Sequence, residues 1–103
     1  MENQFGQSDI CYFSHLTIKE KGIINYGYLT IKGNVRNNGI IKVTQCVLKI
    51  RTYDQNNNIV SIDKLYVIGD IAPAEAKTFR TIIAWLKSAK NYDITNEEVM
   101  VIK

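Results

Sequence analysis

From Tyr28 to Asn37 the chain alternates without a fault. Leu29, Ile31, Gly33 and Val35 fall on one side, with Thr30, Lys32, Asn34 and Arg36 on the other. Successive strand residues point to opposite faces, so this spacing describes a strand with one dry side and one wet side. Such a strand needs antiparallel neighbours and a second layer over its dry face. Asn37-Asn38-Gly39 follows, and these residues tolerate the positive φ of a tight reversal. Gly33, in the middle of the dry side, predicts a bulge or the close approach of another backbone.

The same period returns along the chain. Val43 to Tyr53 places Thr44, Cys46, Leu48, Ile50 and Thr52 on one face, with Lys49 and Arg51 opposite. Asp54 to Asn58 reads as a hairpin loop and Ile59 to Ile68 as the returning strand. Its alternation slips at Asp63-Lys64, which predicts a bulge or a change of sheet there. Ile10 to Lys19 reads as a first strand, broken by Glu20-Lys21-Gly22. Tyr92 to Ile94 and Val99 to Ile102 read as a closing strand or pair, with Asn96-Glu97-Glu98 as the turn between.

Ala74 to Lys90 is ambiguous. Phe79, Ile82, Ile83 and Leu86 sit at helical spacing, while Phe79, Thr81 and Ile83 fit a strand. Periodicity alone leans towards the helix there, while across the whole chain forty of 103 residues are β-branched or aromatic, against five Ala and five Leu, a supply that favours strands over long helices. The fold class is therefore all-β, a sandwich or small barrel, with a short helix still open near residues 84–90. A chain of this length supports one core. Residues 10–103 form that domain behind a polar lead, 1–9.

Thirteen basic and ten acidic residues leave a net charge of +3. The lysines recur singly, with no run of three, which reads as a solvated face with edge-protecting lysines and speaks against a nucleic-acid partner. Cys11 and Cys46 form no CxxC and have no His at ligand spacing, so zinc is unsupported. Cys46 belongs to a dry strand face and is expected to be a buried thiol. Met1 to Asp9 lacks the apolar stretch of a signal peptide. No run approaches the 18 apolar residues of a membrane span. Either the chain is cytoplasmic or it begins after a removed targeting segment.

Sites of chemistry are sparse. Asp54, Asn56 and Asn58 copy the first positions of a calcium loop, but Ile59 and Leu65 occupy the positions that need Gly and Glu. A hairpin held by Asx hydrogen bonds is the expected reading. His15 beside Ser14 lacks a nucleophile elbow or an orienting acid. Glu97 and Glu98 are adjacent on a strand and so face apart. Trp85 with Tyr26, Tyr28, Tyr53, Tyr66 and Tyr92 could form a stacking platform for sugars or peptides, or serve as core and cross-strand partners.

Tyr28 to Asn38 resembles the "φ-x-V-x-G-x-V-x-N-x-S" strand of the bacterial FxLYD domain family. Val47 to Asp54 (VLKIRTYD) is similar to that family's name-giving strand, and Ile59-Val60 to the "G-x-V-V" after it. Ile71 to Glu75 with Phe79 resembles its "P-G-E" step, and Ser88 to Ile94 its closing strand. Thr52 stands where Leu is usual, Asn57-Asn58 where the turn Gly is, and Ala74 where a second Gly is. The resemblance implies an antiparallel immunoglobulin-like β-sandwich of about six to seven strands, with Lys77 to Ile83 in a strand.

It also implies an extracytoplasmic module, envelope-associated or secreted, without enzymatic activity. The expected function is thus a non-catalytic interaction module of monomeric or weakly dimeric form, with a protein partner and no cofactor. A carbohydrate-binding module using exposed aromatics is the alternative. The recognition surface is expected at Lys32, Arg36, Lys49, Arg51, Tyr53 and Trp85.

Overall fold

Six strands cross residues 16–101, the part of the chain that the computed structural model describes. They are β1 (Leu16–Asn25), β2 (Tyr28–Asn37), β3 (Val43–Tyr53), β4 (Ile59–Ile71), β5 (Ala76–Ala84) and β6 (Asn91–Val101). Every pairing is antiparallel. One sheet has the order β1-β2-β5 and the other β4-β3-β6. The chain thus forms a hairpin in one sheet, a hairpin in the other, then returns one strand to each. This is the expected all-β sandwich.

The dry faces meet as predicted. Leu29, Ile31 and Val35 of β2 and Cys46, Leu48 and Ile50 of β3 are fully buried. One interior cluster joins Leu16 and Val35 to Val43, Cys46, Leu48, Val67, Ile71 and Val99. A second joins Leu29, Ile31 and Ile83 to Ile50, with Trp85 and Tyr92 packed against it. Both draw on both sheets, so each sheet's wet face points away from the other. Burial pushes the Cys46 thiol up to about 11, so it stays protonated at neutral pH.

Four local expectations are corrected. β1 runs straight through Glu20-Lys21-Gly22, and the chain reverses later, at Tyr26-Gly27. The interrupted apolar pattern has a tertiary cause. A Cβ at Gly22 would collide with the Tyr92 hydroxyl, which donates to Glu20 Oε1 at 2.7 Å. Polar and small residues occupy β1's inner face there because Tyr92 reaches across the sandwich to meet them.

β4 keeps its register through Asp63-Lys64, and its irregularities lie instead near its two ends, opposite Val43–Gln45 and opposite Thr52–Tyr53 of β3. β6 is continuous through Asn96-Glu97-Glu98. Val47 pairs Glu98 and Leu48 pairs Asn96, so Glu97 is the extra residue of a β-bulge. Residues 84–90 form no helix: β5 ends at Ala84, and Ala89 N–H closes a turn onto the Leu86 carbonyl at 2.9 Å.

Gly33 marks the close approach its position implied. A Cβ there would strike the Lys19 carbonyl and the Glu20 backbone. Ala74 and Asn57 have φ of 69° and 65°, the left-handed conformation that favours glycine. Buried Asn37 ties the two loops at one end of the sandwich. Its Nδ2 donates to the Ile41 and Ile71 carbonyls at 2.8 and 2.9 Å, and its backbone N–H donates to the Glu75 carbonyl at 2.8 Å. The readings of residues 1–9, Cys11, Ser14, His15 and Ile102, and the side chain of Glu98, lie outside what is described.

Candidate functional site

The six residues expected to share a recognition surface do not share one. Lys32 and Arg36 lie on the outer face of the β1-β2-β5 sheet. Lys49, Arg51 and Tyr53 lie on the outer face of the β4-β3-β6 sheet, on the opposite side of the molecule. Trp85 belongs to neither. It is half-buried against the second core cluster, edge-on to Tyr92 with ring centroids 6.4 Å apart, and its backbone N–H donates to the Gly27 carbonyl at 2.8 Å.

On the β4-β3-β6 face the cations are paired. Lys49 Nζ and Lys64 Nζ lie 2.8 and 3.0 Å from the two oxygens of Glu97, the bulge residue. Hydrogen bonds from Lys49 and then Lys64 hold the Glu97 carboxyl below its usual range. Arg51 Nε donates to Asp93 Oδ1 at 3.2 Å, and the Tyr53 hydroxyl donates to Asp93 Oδ2 at 2.7 Å. That hydrogen bond raises the Tyr53 pKa, with burial and the Asp93 charge adding to it. The VLKIRTYD strand therefore spends its polar side chains on a cross-strand lattice. In the hairpin beyond, Asp54 Oδ1 accepts the N–H groups of Asn56 and Asn58 at 2.8 and 2.9 Å, the Asx arrangement expected of the loop.

The β1-β2-β5 face is different. The register sets Lys21 opposite Lys32 and Lys32 opposite Arg80, three cations in one row across three strands. Lys19 and Arg36 stand on the same face one or two rows away. Among the described residues, no Asp or Glu occupies this face and none of the five cations forms an ion pair. Arg36 Nε donates instead to the amide oxygen of Asn38, at 3.1 Å. Like charges directly opposed on a sheet are mutually destabilising. Of this row the sequence singles out Lys32 alone; Lys21 and Arg80 come from two other strands, and only the pairing register brings them beside it.

One end of this face is apolar. Ile23 and Ile82 flank Thr30 in the row next to the cations, and Tyr28 occupies the row beyond. Ile23, Ile24, Tyr28 and Ile82 are each at least half exposed, and Tyr26, at the hairpin apex, is 94% exposed. Tyr26 and Gly27 have φ of 49° and 83° and form a two-residue turn. Turns of this type favour Asn, Asp or Gly in their first position, and a tyrosine there is strained.

A two-sheet antiparallel sandwich of this size is a recurrent architecture. A solved structure of a member of the DUF1425 family from Shewanella sp. pv-4 shares the fold, with a TM-score of 0.53 at 13% identity over 82% of this chain and 77% of that one. No curated protein matches. The model of one family, described as protein of unknown function (DUF2393), matches residues 12–98, and the chain belongs to that family. No helix among the described residues is long and apolar enough to cross a membrane.

Proposed function

We propose that this chain is a non-catalytic interaction module that recognises a polyanionic surface through the outer face of its β1-β2-β5 sheet. The observation that carries the reading is the unneutralised row Lys21, Lys32 and Arg80. A fold gains nothing from three opposed cations, and any of them could be Glu at no steric cost. An anionic partner converts that repulsion into attraction and adds charge-assisted hydrogen bonds. The resemblance to FxLYD modules supports an envelope-associated or secreted setting. The opposite face is the weaker candidate, because its cations already have carboxylate partners.

Chemical-shift mapping with poly-L-glutamate as the probe tests the surface. The expected perturbations follow the wet residues of β1, β2 and β5 and disappear on raising the salt concentration. Perturbations centred on Lys49, Arg51 and Tyr53 would assign the wrong sheet.

A further inference from the structure

We infer that the polyanionic surface is an anionic phospholipid bilayer, engaged by the Tyr26-Gly27 end of the molecule. This rests on the β1-β2-β5 face being the recognition surface and adds the arrangement of groups along it. Counted from the hairpin apex, that face presents Tyr26, then Tyr28, then Ile23 and Ile82, then the row Lys21, Lys32 and Arg80. Alternate residues of a strand are spaced by about 7 Å, so the cations stand roughly one headgroup layer behind the apolar rows.

Ile24 extends the apolar end onto the inner side, and Leu86, 46% exposed, extends it across the turn after β5. Lys87 and Lys90 are exposed in that same turn. The carboxylates of Glu20 and Asp54 at this end lie off the cation-bearing face: Glu20 is on the inner side of β1, bonded to the Tyr92 hydroxyl, and Asp54 is turned into its own loop.

An apolar tip backed by a cation layer matches the depth profile of a bilayer, where aliphatic and tyrosyl groups favour the interface and lysines meet the headgroup phosphates. A soluble acidic protein would complement the cations but would leave the tip unexplained. Tyr26 makes the tip harder to ascribe to folding alone. It holds a strained backbone conformation at the most solvent-exposed point of the hairpin, where Asn would be easier to accommodate.

The test is co-sedimentation of the whole chain with vesicles of phosphatidylcholine alone or with a quarter phosphatidylglycerol, in low and high salt. Quenching of the single tryptophan, Trp85, by brominated acyl chains reads the depth of the tip. Binding is expected only to the phosphatidylglycerol vesicles. It should fall about 25-fold in Lys32→Gln/Arg80→Gln, roughly fivefold for each cation removed. Tyr26→Ser is expected to weaken vesicle binding and leave poly-L-glutamate binding unchanged.

If the chain binds poly-L-glutamate through Lys32 and Arg80 but ignores vesicles, the lipid inference is overturned and the recognition face stands. Should it ignore both probes, both readings fall. Vesicle binding that the double glutamine variant retains in full, with its circular dichroism unchanged, also overturns the inference.

Discussion

The two outer faces of this sandwich are built from similar residues and reach opposite electrostatic states. On the β4-β3-β6 sheet, Lys49 and Lys64 share Glu97, and Arg51 and Tyr53 share Asp93. On the β1-β2-β5 sheet, Lys21, Lys32 and Arg80 oppose one another with no acid among them. The first arrangement is what folding alone favours, since opposite charges across strands stabilise and like charges destabilise. The contrast is the basis of the proposal that the β1-β2-β5 face serves a partner and not the stability of the isolated chain. It also shows that counting lysines does not locate a binding surface: the cations named in the FxLYD-like strand are mostly occupied, and the free ones are elsewhere.

Both faces sit on one shared interior, and the largest expected effect comes from breaking it. Ile50 of β3 packs among Leu29, Ile31 and Ile83 of the other sheet. Ile50→Ala should cost about 2–5 kcal/mol, seen as a cooperative loss in chemical denaturation. Separate transitions for the two sheets would mean the faces can be treated as independent.

Next in size is the joint between the sheets. Ala74→Gly relieves a left-handed φ and should stabilise by about 1 kcal/mol without altering either face. A loss of stability would show that the Ala74 side chain has a packing role the geometry does not reveal.

A smaller effect separates the faces directly. Glu97→Gln should lower the melting temperature by a few degrees, whereas Lys21→Gln should leave it unchanged or raise it. The pH dependence has a definite sign. Glu97 has its pKa lowered in the fold, so its contribution is full above the unfolded carboxylate pKa and disappears as pH falls through the folded value. Acid titration of Glu97→Gln should therefore show a shallower loss of stability than the parent.

At the alkaline end, Tyr92 is pushed up to about 12 by burial and then by its bond to Glu20. Its contribution is complete below the ordinary value of 10 and is lost as pH rises through about 12. Tyr92→Phe should flatten that limb, and an unchanged slope would place the alkaline transition elsewhere.

Much of the fold was legible because β2, and β3 from Cys46 onward, place core residues at every second position; at the start of β3 a register shift puts Val43 in the core where Thr44 was expected. Reading failed where a neighbour sets the residue. Glu20 and Gly22 look like a break until Tyr92 is seen to need both. Helical spacing at Phe79, Ile82, Ile83 and Leu86 was produced by core residues interleaved with Ile82 and Leu86 of the exposed end. Glu97 looked like a turn because its bulge, which turns it toward two lysines, depends on register with β3. The candidate face was the least legible part. Lys32 and Arg36 are expected recognition residues, but Lys21 and Arg80 read as ordinary solvated cations in their own strands, and only strand pairing sets them in a row with Lys32.

The most direct measurement is a single substitution with two readouts. Lys32→Glu places a carboxylate between Lys21 and Arg80 and gives the β1-β2-β5 face the pairing its counterpart already has. The melting temperature is expected to rise by about 2–5 °C, from one or two favourable cross-strand pairs. In the same variant, binding to phosphatidylglycerol vesicles and to poly-L-glutamate should fall by about 25-fold or more. Stability gained while binding is lost is the signature of a face kept charged for a partner. A Lys32→Glu chain that melts lower than its parent and binds both probes as before would contradict it.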